Sequence, residues 1–215
     1  VTAPLLTLDE LERDALTELV NIGVSRAAVS LRAMVGEQVL LSVPSLEVMS
    51  RAKAAVLIGE REVGELVAVR QHFSGAFSGE AILLFPEENS LELVRAVTGE
   101  VMSAAAAGEM EEEALTETAN VVLNSCLATL ANMLERPLEM SIPHVTRGES
   151  ARVFDTEAVA SSDAVVLFLY INFAINDRNI RGYIAMLMDI PSLEALRELI
   201  GDFIVRVVGE GTALP

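Results

Sequence analysis

Two stretches of the 215-residue chain carry the same pair of polar side chains. Glu18 and Asn21 lie in ALTELVN, and Glu117 and Asn120 lie in ALTETAN. On a helix, residues three apart are neighbours, so each carboxylate stands beside a carboxamide, a group that offers both a donor and an acceptor. One such pair alone reads as the wet side of an amphipathic helix, since surface residues vary freely. Two at matched positions read differently. Exposed positions drift readily, because changes there usually cost under about 0.5 kcal/mol. Asn is also a mediocre helix former. The repetition therefore points to a requirement on the carboxamide itself.

Other chemistry has weaker support. His72 and His144 are the only histidines, and neither has a nucleophile motif beside it. Cys126, the single cysteine, falls on an apolar helix face and reads as core; it supports neither a disulfide framework nor a metal cluster. GEREVGE from Gly59 lacks the Lys and Ser/Thr of a phosphate-binding loop. The acidic run Glu109 to Glu113 reads as a solvated helix start favoured by the dipole.

The elements that must position the two pairs repeat as well. From Ala15 to Ala114 the offset is 99 residues, and it also aligns Leu31 with Leu130, Ser42 with Ser141, and Pro44 with Pro143. SLELVRAVTGE from Ser90 matches SLEALRELIGD from Ser192, an offset of 102. The pattern predicts two repeats, about 9–100 and 109–202, within a single domain with short terminal tails.

Each repeat reads as a long helix, a short strand ending at Pro44 or Pro143, β-rich segments and a closing helix. The long helices are placed at about Asp9 to Val35 and about Glu109 to Leu134. Asp9 with Glu12 suits a capping box, and Gly36 suits a helix stop. The β segments are Glu65–Val69, Gly79–Phe85, Ala164–Ala174 and Ile180–Met188, with turn-like breaks at Ser74-Gly75 and Asn176-Asp177. The closing helices span about Ser90–Val97 and Ser192–Ile200. The expected fold is α+β, an internal pseudo-twofold duplication with long helices packed on a largely antiparallel sheet. At helical period, Leu16, Leu19, Val20, Gly23, Ala27 and Leu31 face the core, opposite Asp14, Glu18, Asn21 and Ser25. The second helix turns Leu115, Thr118, Ala119, Val122, Cys126 and Leu130 inward, with Glu113, Glu117, Asn120 and Asn124 on the polar side.

Composition narrows the partners. The formal net charge is −17 and Lys53 is the only lysine. Such a surface repels a phosphate backbone, which argues against nucleic acid. It suits a docked protein that brings its own cation. The longest clean apolar run, Ala164 to Ile171, falls short of the roughly 20 residues of a membrane helix. No charged-then-apolar signal segment opens the sequence as given. The expectation is a cytoplasmic protein without a membrane partner.

Asp/Glu-x-x-x-Glu-x-x-Asn, followed by Pro after a gap of 22 residues, resembles the signature of the CheC/CheX/FliY family of chemotaxis phosphatases. The first copy is Asp14, Glu18, Asn21 and Pro44; the second is Glu113, Glu117, Asn120 and Pro143. The resemblance covers nearly the whole chain, and two intact pairs are most like the CheC branch. Glu113 departs from the Asp or Ser usual there.

The resemblance implies a protein aspartyl-phosphate phosphatase acting on a phosphorylated CheY-like response regulator. Asn21 and Asn120 would each orient a water in line with the acyl phosphate. Glu18 and Glu117 would pair with the regulator's active-site lysine. Mg2+ would come with the regulator, with no metal or cofactor of the chain's own. The alternative it leaves open is a non-catalytic binding protein for CheY-P or a CheD-type deamidase.

Overall fold

The computed structural model describes residues 8–43, 45–98, 107–155, 165–175 and 178–211. Its elements run in the same order twice. The first set is α1 (Glu10–Val35), β1 (Val39–Ser42), β2 (Leu46–Ser50), α2 (Arg51–Arg61), β3 (Leu66–Gly75), β4 (Gly79–Pro86) and α3 (Glu87–Thr98). The second is α4 (Ala107–Met133), β5 (Leu138–Met140), β6 (His144–Gly148), α5 (Ser150–Val153), β7 (Val165–Ile175), β8 (Arg178–Met188) and α6 (Ile190–Gly211).

All described strand pairs are antiparallel and form one eight-stranded sheet, ordered β1-β7-β8-β4-β3-β5, with β2 also on β7 and β6 also on β3. Its centre is the β4–β8 pair, where Ile82 stands opposite Ala185. Around this centre the halves exchange strands. β1 and β2 add to the β7–β8 hairpin of the second half, and β5 and β6 add to the β3–β4 hairpin of the first. The α+β, antiparallel, pseudo-twofold expectation is met, and α4 of the second half packs on β3 and β4 of the first.

Strand side chains alternate between the two faces of the sheet. Val67, Val69, Leu83 and Phe85 join the core beneath α1, α3, α4 and α6. Their neighbours Leu66, Ala68, Ile82 and Leu84 join a second core with Ala54, Ile58 and Val153 of α2 and α5. A sheet buried on both faces accounts for continuous apolar runs such as AILLF in β4.

The long helices follow from local signals. Asp9 caps α1: its Oδ1 accepts from Glu12 N at 2.8 Å, and Glu12 Oε2 accepts from Asp9 N at 2.8 Å, completing the capping box. Arg197 of α6 also binds Glu12, at 2.7 and 3.0 Å. Gly36 ends α1 in the left-handed region at φ 74, which glycine adopts without steric cost. Every α1 and α4 residue expected to face the core is buried.

Several boundaries differ from the sequence reading. β3 extends to Gly75, past the expected Val69, and α6 runs to Gly211, past Ile200. The sequence reading did not anticipate β2, β6, α2 or α5. The strands among them are five residues each and gain their pairing from the other half. The break at Asn176-Asp177 and Pro44 lie outside the described residues.

Candidate functional site

α1 and α4 meet closely at Gly23, where an added Cβ would stand 2.7 Å from Cys126 Cα. The two polar stripes therefore ride on adjoining helices. On α1, Asp14, Glu18 and Ser25 are exposed and Asn21 is half-buried. Asn21 uses both ends of its carboxamide on one residue. Its Nδ2 donates to the Val43 carbonyl at 3.2 Å, and its Oδ1 accepts from Val43 N at 3.0 Å. Val43 lies between β1 and β2, and is 2% exposed. It directly precedes Pro44, so the fixed spacing of the first motif is the distance along the chain from a carboxamide to the backbone it holds. One amide proton and one oxygen lone pair of Asn21 remain for another partner.

The second stripe is held differently. Glu113 and Glu117 are exposed, and Asn120 and Asn124 are half-buried. Asn120 Oδ1 accepts from Asn124 Nδ2 at 2.7 Å. Asn124 Oδ1 in turn accepts from Gln71 Nε2 at 2.8 Å, and the same nitrogen donates to the Ser141 carbonyl at 2.8 Å. His72 N donates to Ser141 Oγ at 3.0 Å, which ties the link between β5 and β6 to β3. Ile142, matched to Val43, is 87% exposed, and Pro143 beside it is buried.

Glu112, Glu113, Thr116 and Glu117 line a shallow depression of about 420 Å³. Three carboxylates there make a local field that favours a cationic group from a docking partner. No group of three or more His, Cys, Asp or Glu side chains among the described residues is placed to hold a metal ion. Among them, too, no helix is long and apolar enough to cross a membrane. Cys126 is fully buried, and burial pushes its thiol up to about 12. His72 of β3 and His144 of β6 are exposed, with ring centroids 6.4 Å apart.

Known proteins share this arrangement of elements. The sequence model of the family described as chemotaxis phosphatase CheX matches residues 67–168. The CheY-P phosphatase CheC of Bacillus subtilis is 21% identical over 201 residues, covering 90% of this chain and 96% of CheC. The flagellar motor switch phosphatase FliY of the same organism is 23% identical over 161 residues, 74% of this chain. Over these spans the chain is similar to the CheC/CheX/FliY family of chemotaxis phosphatases. The match spans 42% of the length of that FliY.

Solved structures agree on the family's fold. FliY of Thermotoga maritima superposes with a TM-score of 0.72 at 16% identity, covering 92% of this chain and 100% of that one. FliM from H. pylori, solved as a FliM–SpeE complex, gives 0.65 at 10% identity, covering 92% and 98%. The CheX family match takes in Glu113, Glu117, Asn120 and Pro143, and begins after Asn21.

Sequence reasoning placed Asn124 on the polar stripe but missed Gln71. A signal was present: Gln71 alternates with Val67, Val69 and Phe73, so it is a polar residue on the strand face that joins the main core.

Proposed function

We propose that this chain hydrolyses the aspartyl phosphate of a CheY-like response regulator, using Glu18/Asn21 and Glu117/Asn120 as two docking pairs. The observation that carries the reading is the second stripe. Glu117 stands exposed in an acid-lined depression one helical turn from Asn120, whose oxygen is fixed by Asn124. The carboxylate would meet the regulator's active-site lysine, a cation an acidic protein accepts readily. Asn120 would then hold a water in line with the phosphorus, without adding charge that repels the phosphoryl oxygens. The water oxygen bonds to phosphorus as the bond from phosphorus to the aspartyl oxygen breaks. The aspartate leaves as a carboxylate, and the water proton ends on the released phosphate or solvent.

Asp14 and Glu113, one turn before each Glu, would extend the acidic docking faces. Pro44 and Pro143 would shape the loops beside the carboxamides. In this reading Mg2+ belongs to the regulator's own site, and the reaction takes place in the cytoplasm, where such regulators act. Purified chain mixed with phosphorylated regulator and Mg2+ should accelerate phosphate loss over the regulator alone.

One observation favours a second role for the first pair. Asn21 is bound at both ends to Val43, so α1 suits docking as well as turnover. A face that binds CheY-P or a CheD-type deamidase without hydrolysis would slow the regulator's phosphate loss or leave it unchanged.

A further inference from the structure

The second pair is attached to a chain of amides that the first pair lacks. Gln71 is 1% exposed on β3. Its Nε2 faces the Ser141 carbonyl, which can only accept, and this fixes which end of the Gln71 amide points there. The constraint then passes outward. Asn124 must turn its Oδ1 to Gln71 Nε2, so its own Nδ2 donates to Asn120 Oδ1. Asn120 thus has its oxygen turned to the chain. Its Nδ2 has no hydrogen bond among the described residues.

The matched positions in the other half cannot form such a chain. Phe73 pairs with Met140 and Phe173 pairs with Leu41, so Gln71 corresponds to Ile171, two residues before each Phe. Ile171 sits in the main apolar core, and Ser25 stands where Asn124 would be. Gln71 also comes at a cost that an aliphatic residue would avoid. Its Oε1 is buried with no partner among the described residues. Folding alone does not ask for an amide here.

We propose that Gln71 and Asn124 are positioning residues that set the carboxamide of Asn120, and that only the second site is preorganised this way. The proposal rests on the water-orienting reading of Asn120 given above. Linked amides polarise one another, so the chain also strengthens the donor left on Asn120. A carboxamide released from it could rotate away from the in-line water, and misplacement on the scale of 1 Å costs on the order of 10²-fold in rate.

The test uses the full chain carrying Glu18→Arg, which places a like charge against the regulator's lysine at the first site. Phosphorylated regulator with Mg2+ is the substrate. Gln71→Leu and, as a milder second variant at a half-buried position, Asn124→Ala should each lower kcat by roughly 10- to 100-fold and leave KM within about twofold. In an Asn120→Ala background neither should lower it further. Independently, the side-chain amide 1H–15N resonances of Asn120 should shift in Gln71→Leu although Asn124 stands between the two in the hydrogen-bond chain, and those of Asn21 should stay in place. If Asn120→Ala lowers turnover but Gln71→Leu and Asn124→Ala do not, the relay is overturned and the phosphatase reading stands. Unmoved Asn120 resonances, or undiminished kcat losses in the Asn120→Ala background, overturn it as well. If Asn120→Ala leaves turnover intact, the phosphatase reading fails, and the catalytic purpose of the relay fails with it.

Discussion

Asn21 grips the backbone of Val43 at both of its polar groups, whereas the matched Asn120 takes one side-chain hydrogen bond from Asn124. The same residue type at the same repeat position thus does unequal structural work. Asn21→Ala would leave the N–H and C=O of a buried residue without those partners, which costs about 1–3 kcal/mol. Asn120→Ala releases only a half-buried Asn124 amide and should cost about 1 kcal/mol or less. Urea unfolding of the two variants measures the difference, and equal losses would contradict it.

Gly23 sets how closely α1 and α4 approach. A Cβ there meets the Cys126 Cα at 2.7 Å and the Ser125 carbonyl at 3.1 Å, and both are backbone atoms that cannot swing aside. Gly23→Ala should therefore cost about 1–3 kcal/mol by overpacking, less about 1 kcal/mol from better helix propensity. The expected outcome is a lower denaturant midpoint. A midpoint at or above that of the parent would mean that the helices separate freely.

Arg70 and Glu80 form an ion pair at 2.6 Å, with side chains 6% and 2% exposed. Arg70 also donates to Thr146 Oγ1 and to the Val153 carbonyl, joining β3 to β6 and α5. Glu80→Ala leaves a buried guanidinium without its counter-charge and should destabilise by about 3–5 kcal/mol. Replacing both partners, as Arg70→Met with Glu80→Leu, should recover much of that loss. Calorimetric melting of the three proteins checks the order.

Burial pushes the Cys126 thiol up from 9.0 to about 12. The folded state holds this proton more tightly than the unfolded chain does. The stability it contributes is complete below pH 9 and is lost as pH rises toward 12. Cys126→Ala should be less stable at neutral pH yet lose less stability across that alkaline window. Iodoacetamide should label the parent at pH 8 only after denaturant is added. Labelling of the native protein at the denatured rate would contradict the burial.

Much of this was legible in the chain. The Asp9–Glu12 capping box, the left-handed Gly36 and the buried stripe from Leu16 to Leu31 are local signals, and α1 follows them. The Glu/Asn pairs were legible because they repeat. The inequality of the two sites was not, since it depends on Gln71 of one half and Ile171 of the other. Ile171 lies in the main core, and Gln71 meets α4, which is distant in sequence. β2 and β6 were hidden for the same reason. Arg70 and Glu80 were not singled out either, because only the β3–β4 pairing brings their side chains together in the interior.

The most direct test of the central claim follows release of labelled phosphate from a phosphorylated CheY-like regulator with Mg2+, comparing the parent chain with Asn21→Ala/Asn120→Ala. The parent should accelerate release, and the double variant should lose roughly 10²–10³-fold of that acceleration while still binding the regulator. Catalysed turnover retained by the double variant, or no acceleration by the parent, would contradict that claim.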